Sequence, residues 1–154
     1  MDSGIRRALI SDIDEMLPLI EAYWRFERIA GFDATAVQEK LRQLFTNPKL
    51  GLGLIHRDSN GTLVAYLLGV FVFSLENLGI TSEIDEFFVA EAHRSSGIGK
   101  AMLEAAEIEF VHAGSTCVSL QVSRDNDAAR RFYEHRGYIR RTIFELMEKD
   151  LSAA

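Results

Sequence analysis

The chain has 154 residues, enough for one domain with a core of its own. Hydrophobic residues make up 47% and charged residues 26%, the balance of a soluble globule, and two prolines without a Ser/Gly tract argue against linkers and disorder. The formal net charge of −6 argues against a nucleic-acid binder, which needs a basic footprint, and leaves room for a cationic ligand.

That charge is unevenly placed. Between Asp58 and His93 there is no Lys or Arg, while Asp58, Glu76, Glu83, Asp85, Glu86 and Glu91 all fall there. The remainder of the chain therefore balances, and the whole net charge belongs to this one segment. Residues 1–10 hold an early Asp2 and no long apolar core, so no signal peptide is expected. The run Leu63 to Phe73 is too short to span a bilayer, and a cytoplasmic protein is the expectation. Cys117, the single cysteine, lies in an apolar run and reads as a buried, inert thiol.

In chain order, Ile5 to Leu9 reads as a short strand. Ser11 then starts a helix, with Asp14 completing a variant capping box. Ile13, Met16, Leu17, Ile20 and Trp24 form its apolar stripe, while Tyr23, Phe26 and Glu27 lie off it. Gly31 breaks that helix, and Asp33 caps a second one from Ala34 to Phe45. Leu50 to Arg57 and Thr62 to Phe73 are strands joined by Asn60-Gly61, which predicts a tight type I′ hairpin. A fourth strand spans Ser82 to Val89. Gly97 to Ala113 is a helix packing through Ala101, Met102, Ala105, Ala106 and Ile108. Val118 to Val122 is a fifth strand, and Asp127 to Arg136 a helix ended by Gly137. Tyr138 to Leu151 returns as one long strand or two short ones. The order is that of a mixed α/β domain with a hairpin-rich first half and a crossover second half, one domain over residues 1–154.

Arg94-Ser95-Ser96-Gly97-Ile98-Gly99-Lys100 leads from the fourth strand into a helix. Glycines let backbone N–H groups approach a ligand closely, and the helix N-terminus adds unpaired donors and partial positive charge. This makes a pyrophosphate site, to which Arg94 and Lys100 can add direct charge. A Walker A loop would need glycine at Arg94 and Ser/Thr at Ala101, and a dinucleotide fingerprint a small residue at Met102, so both fail. A plain packing turn is the alternative.

These residues resemble the acetyl-CoA signature of the GCN5-related N-acetyltransferase (GNAT) family, Arg/Gln-x-x-Gly-x-Gly/Ala, which Arg94, Gly97 and Gly99 match in full. Ile84 to Val89 is similar to the family's acidic-apolar fourth strand. Asn126, Ala129, Tyr133, Gly137 and Tyr138 are similar to its Asn…Ala…Tyr…Gly-aromatic signature. The resemblance implies a mostly antiparallel sheet, splayed between strands four and five and flanked by about four helices. It further implies acetyl-CoA as co-substrate, with the pantetheine arm paired to strand four at Phe87, Phe88 and Val89. Residues Arg94, Ser95, Ser96, Gly97, Ile98, Gly99 and Lys100 would hold the pyrophosphate, and Asn126, Ala129 and Tyr133 would border the other side of the arm.

Acetyl transfer to an amine needs a neutral amine, although alkylamines titrate at about 10.4, and a proton for the leaving thiolate. The resemblance implies Tyr133 as that acid, with packing as the alternative. For the base, Asp85 matches the acidic position of polyamine acetyltransferases, which strand four resembles, and would act through a water. Glu83 and Glu86 are the alternatives, as is deprotonation by bulk water with these carboxylates only solvated or structural. Strict alternation groups Glu83, Asp85, Phe87 and Val89 on one side of the strand with Glu86 on the other, whereas a bulge would move Glu86 into the site. No metal-ligand spacing and no nucleophile triad is present, so direct transfer is expected.

The family's acceptor wall implies Tyr23, Trp24, Phe26, Glu27 and Phe32, then Ser74-Leu75-Glu76. Trp24 also reads as core, and Tyr23, Phe26, Glu27 and Glu76, with Glu83 and Glu86, are the substrate residues. Aromatics beside carboxylates suit a small cationic amine. A protein lysine or N-terminus is the alternative acceptor, and a non-catalytic acyl-CoA-binding module a third reading. The stretch after Tyr138 is short for the family's closing hairpin, so that wall is either trimmed or completed by a second subunit in a homodimer.

Overall fold

The computed structural model describes residues 4–153. The chain divides into two compact units, one running to Leu120 and the other beginning at Gln121.

The first unit holds a five-stranded sheet in the order β1 (Ile5–Arg7), β2 (Gly51–Arg57), β3 (Leu63–Ser74), β4 (Gly79–Val89) and β5 (Val118–Leu120). The first four strands are antiparallel, and β5 joins β4 in parallel. Three helices accompany it: α1 (Ile13–Phe26), α2 (Ala34–Thr46) and α3 (Ile98–His112). Successive side chains of β3 point to opposite faces, and this sorts the core. Tyr66 and Leu68 pack with Ile13, Met16, Ile20 and Leu41 of α1 and α2. Gly69 points the other way: a Cβ there would lie 2.5 Å from the Phe110 ring of α3. The buried side of α3 is Met102, Leu103, Ala106 and Phe110, a quarter-turn from the stripe expected, and Ile108 is exposed.

Start and stop signals act much as the residues predict, with informative exceptions. Asp33 caps α2, its Oδ1 accepting from Ala36 N at 3.0 Å. Asp12 rather than Ser11 organises the entry to α1. Its Oδ2 accepts the Leu9 N–H at 2.7 Å across a 3-10 turn over Ile10–Asp12. The β2–β3 hairpin forms, but only Gly61 has positive φ, at 80°, so the turn is not type I′. The Asp58 carboxylate accepts from Asn60 N and Thr62 N at 2.9 and 3.0 Å, which favours a longer loop. Cys117 is exposed, not buried. It lies just ahead of β5, with its carbonyl accepting Ser82 N at 2.9 Å, before the strand turns inward.

The second unit contains α4 (Asp127–Glu134), capped by Asn126, whose Oδ1 accepts from Ala129 N at 3.1 Å. Gly137, at φ 89°, follows its end. The strand or strands expected from Tyr138 to Leu151 do not form. Ile139, Ile143 and Met147 are 83%, 81% and 90% exposed. A strand is made by its ladder, not by its side chains alone, and no described segment pairs with this one. Among the described residues no helix is long and apolar enough to cross a membrane.

Candidate active site

The register of β4 changes where chemistry is expected. Leu68 faces Glu86 while Gly69 faces Ile84, so Asp85 is the extra residue of a β-bulge. Pairing with β5 covers only Ser82, Glu83 and Ile84, so from Asp85 to Val89 strand β4 is paired only to β3. A bulge bends and twists a strand, which accounts for the ladder to β5 ending at this point. It also overturns the grouping expected from strict alternation. Glu83, opposite Val70, now shares the α1 face with Glu86 and Phe88, while Phe87 and Val89 lie opposite Leu67 and Ala65 on the other face.

Glu86 is held on the α1 face by two neutral donors. Tyr66 Oη donates to Oε1 and Trp24 Nε1 to Oε2, each at 2.8 Å. Burial pushes the Glu86 carboxyl upward, and the two hydrogen bonds and the neighbouring Asp85 charge act against and with that push respectively. Asp85 is also raised, by desolvation alone. Its side chain keeps solvent access, which moderates this shift, but its charge reaches both Glu86 and Tyr66. Tyr66 is fully buried, and loss of solvent followed by the Glu86 charge drives its hydroxyl far above the usual phenol range, so it stays a donor. A pair of carboxylates with raised titration and no guanidinium partner is suited to receive a cation or a proton.

Aromatic rings line the approach. Tyr23 meets Tyr66 edge-on at 6.3 Å and Phe88 at 5.9 Å, and Phe26 lies 6.2 Å from Phe88. The cation over these rings comes from the chain itself. The Arg94 guanidinium sits 5.2 Å from the Phe26 centroid and 5.0 Å from that of Phe88, and its Nε donates to Val89 O at 2.9 Å. Arg94 therefore ties the loop to the end of α1, a use that the phosphate reading of this residue does not include. Glu27 ends α1, Glu76 is exposed in the β3–β4 turn, and Glu83 is half-buried beyond the bulge.

The loop fits a phosphate group. Ser95 and Gly97 have φ of 61° and 87°, and space around a Cβ at Gly97 is open. Helix α3 has no side-chain cap, and its first backbone bond runs from Ala101 N to Gly97 O, so the N–H groups of Ile98, Gly99 and Lys100 precede it. The Ser96 hydroxyl is turned back to the His93 carbonyl, and Lys100 pairs with Glu104 at 3.9 Å along the helix. His93 Nε2 lies 3.4 Å from Asp58 Oδ2, which joins the loop to the β2–β3 turn.

In the second unit, Tyr133 packs edge-on between Phe132 at 5.2 Å and Tyr138 at 5.4 Å. Asn126 and the N–H of Ala129 are both engaged in the α4 cap.

Trp24 does pack against the core, as its stripe position predicts, while its N–H reaches the site, and Tyr66 has no site role in the sequence reading. A signal for Tyr66 exists, since a tyrosine inside the aliphatic run Leu63 to Val72 must find a partner for its hydroxyl. Comparison with known proteins adds a family. The model of the acetyltransferase (GNAT) family matches residues 14–138. The uncharacterized N-acetyltransferase YhfO of Bacillus subtilis (strain 168) is 28% identical over 141 residues, covering 92% of this chain and 93% of that protein. Among solved structures, an integron cassette protein from a salt-marsh metagenome superposes with a TM-score of 0.84 at 21% identity, over 97% of this chain and 91% of the other. The aminoglycoside antibiotic 6'-N-acetyltransferase AAC(6')-IG from Acinetobacter haemolyticus does so with a TM-score of 0.77 at 17% identity, over 96% and 99%.

Proposed function

This chain belongs to the acetyltransferase (GNAT) family and is an acyltransferase, and from that premise we propose that it transfers acetyl from acetyl-CoA directly to a primary amine of a small cationic acceptor. The observation that carries the acceptor class is the adjacent pair Asp85 and Glu86 at the β4 bulge. The pair is flanked by Tyr23, Trp24 and Tyr66, and among the described residues no arginine neutralises it. A structural neighbour that bears the name of an aminoglycoside 6'-N-acetyltransferase supports the same class.

Acetyl-CoA supplies an activated acetyl thioester. The bare N–H groups at the start of α3 and the open surface at Gly97 suit its pyrophosphate, and the β4 edge beyond Ile84 suits an added extended arm. Asp85 is the base, acting through a water. It is open to solvent and its carboxyl is raised toward working pH, both of which a general base needs. Glu86 is the fixed anion that receives the acceptor's positive charge. Tyr133 supplies the proton to the departing thiolate, a role assigned by the family resemblance. The whole of 1–154 acts as one catalytic domain.

The test is release of free CoA thiol from acetyl-CoA with spermidine, kanamycin and a lysine-containing peptide as acceptors. Turnover of spermidine or kanamycin above the peptide is expected. Turnover of the peptide alone overturns the small-acceptor reading, and binding of acetyl-CoA without thiol release to any amine overturns the catalytic one. Tyr133→Phe is expected to lower kcat by roughly 10²-fold or more if Tyr133 is the acid.

A further inference from the structure

Glu86 is the one carboxylate of strand β4 with hydrogen-bond donors on both oxygens among the bonds described, and they come from two different elements, α1 and β3. Neither donor is charged. A guanidinium in either place would also satisfy the carboxylate, but it would cancel the negative charge. Two neutral N–H and O–H groups orient the carboxylate and support its ionised form while leaving the charge uncancelled. We propose that Trp24 and Tyr66 are positioning residues for acceptor recognition: together they hold Glu86 as an oriented, unneutralised anion for the ammonium of the incoming amine. This rests on the reading of Glu86 given above and extends it to two residues that do not themselves contact the reacting atoms.

The surroundings agree. Trp24 is steered by the edge-on ring of Phe32 at 5.5 Å, which fixes its N–H toward β4. Tyr66 is fully buried and meets the Tyr23 ring edge. The titratable groups facing Glu86 are Asp85 on its own strand, Tyr66 on β3 and, beyond Tyr66, Tyr23 on α1. Arg94 lies over Phe88 and Phe26, occupied by aromatic faces and the Val89 carbonyl. The remaining lone pairs of Glu86 are left for a ligand.

Tyr66→Phe deletes the hydroxyl donor and keeps the ring, so packing is conserved, whereas Trp24→Phe deletes the N–H together with the pyrrole half of the indole and also loosens packing on Phe32. In the full-length protein the side-chain carboxyl of Glu86 is followed by ¹³C NMR, assigned by its loss in Glu86→Gln. Each variant is expected to move that titration upward by about one pH unit. In parallel, kcat/KM for the faster of spermidine and kanamycin is expected to fall roughly tenfold, with the acid limb of its pH profile moved upward and KM for acetyl-CoA kept. In a Glu86→Gln background these losses are expected to vanish, because the residues act through Glu86. An unmoved carboxyl titration in both variants overturns the clamp. Losses that persist undiminished in the Glu86→Gln background overturn it as well and leave a packing role. If Glu86→Gln itself retains full kcat/KM, the acceptor-site reading of Glu86 fails instead, whatever the clamp variants do to the titration. The two variants are independent, and Tyr66→Phe is near-isosteric, so if Trp24→Phe fails to fold the Tyr66 variant decides.

Discussion

Two carboxylates of the first unit, buried Asp12 and half-buried Glu86, show how partner chemistry divides structure from function. Asp12, at the entry to α1, accepts from both Nη atoms of Arg6 at 2.7 and 2.8 Å, from Arg57 Nη2 at 3.2 Å and from Leu9 N. Arg57 reaches on to Glu15 at 2.6 Å. The Arg6 hydrogen bond leads in holding the Asp12 carboxyl down at about 2. Glu86 is also shielded from solvent, yet its two donors are neutral and its carboxyl is raised. Burial alone therefore does not mark a site. An anion cancelled by guanidinium pins elements together, whereas one held by neutral donors keeps its charge for something else.

The contrast is broken most directly by activity. Asp85→Asn is expected to lower kcat by roughly 10²–10⁴-fold at neutral pH, the span of a lost general base, measured by thiol release at saturating acetyl-CoA. Asp12→Asn should leave kcat per folded molecule unchanged. If the reverse is found, the assignment of roles is inverted.

Stability should show the opposite order. Asp12→Ala strips Arg6, Arg57 and the Leu9 N–H of their shared acceptor and is expected to cost about 2 kcal/mol. This is the lower range for charge-assisted bonds, because Arg6 is nearly half exposed and can rehydrate. Urea midpoints measure it. The pH dependence sharpens the comparison by sign. The folded value of Asp12 is depressed, so its contribution is present above its ordinary value of 3.8 and is lost as pH falls toward about 2. Glu86 and Asp85 are raised, so the folded state holds their protons more tightly. Their contribution is full below the ordinary carboxylate values of 4.5 and 3.8 and is lost as pH rises through the higher folded values. Denaturation across a pH series should therefore show Asp12→Asn losing the acid-side fall. Glu86→Gln should lose part of the decline above about pH 4.5, a smaller effect because its hydrogen bonds oppose the burial.

Local signals were legible in the sequence because they act locally. The Asp33 cap needs only Ala36, three residues on, and the Gly97 loop needs only its own φ of 87°. The five strands and four helices follow from such signals and from periodicity. The site was legible in its members and not in its arrangement. The sequence points to Asp85, Glu86, Tyr23 and Phe26 as candidates, but the bulge that decides which of them share a face is set by the partner strand at Leu68 and Gly69. The bonds from Tyr66 and Trp24 to Glu86 span 20 and 62 positions, distances over which composition and spacing are silent. The segment after Tyr138 failed for the converse reason: its residues favour a strand, but a strand also needs a neighbour. The sequence puts Arg94 in the loop, and the loop forms there, but its stacking on Phe26 depends on where α1 ends.

Trp24 is the only tryptophan in the chain, and its indole nitrogen is bonded to Glu86. Every photon of indole emission from this protein therefore originates at one edge of the carboxylate pair. Protonation of Glu86, or arrival of an ammonium beside it, alters the polarity that this single fluorophore senses. On the proposed reading of Glu86, this single fluorophore is an optical gauge of acceptor binding, usable without dye, label or turnover, to rank amines by affinity before any product is formed.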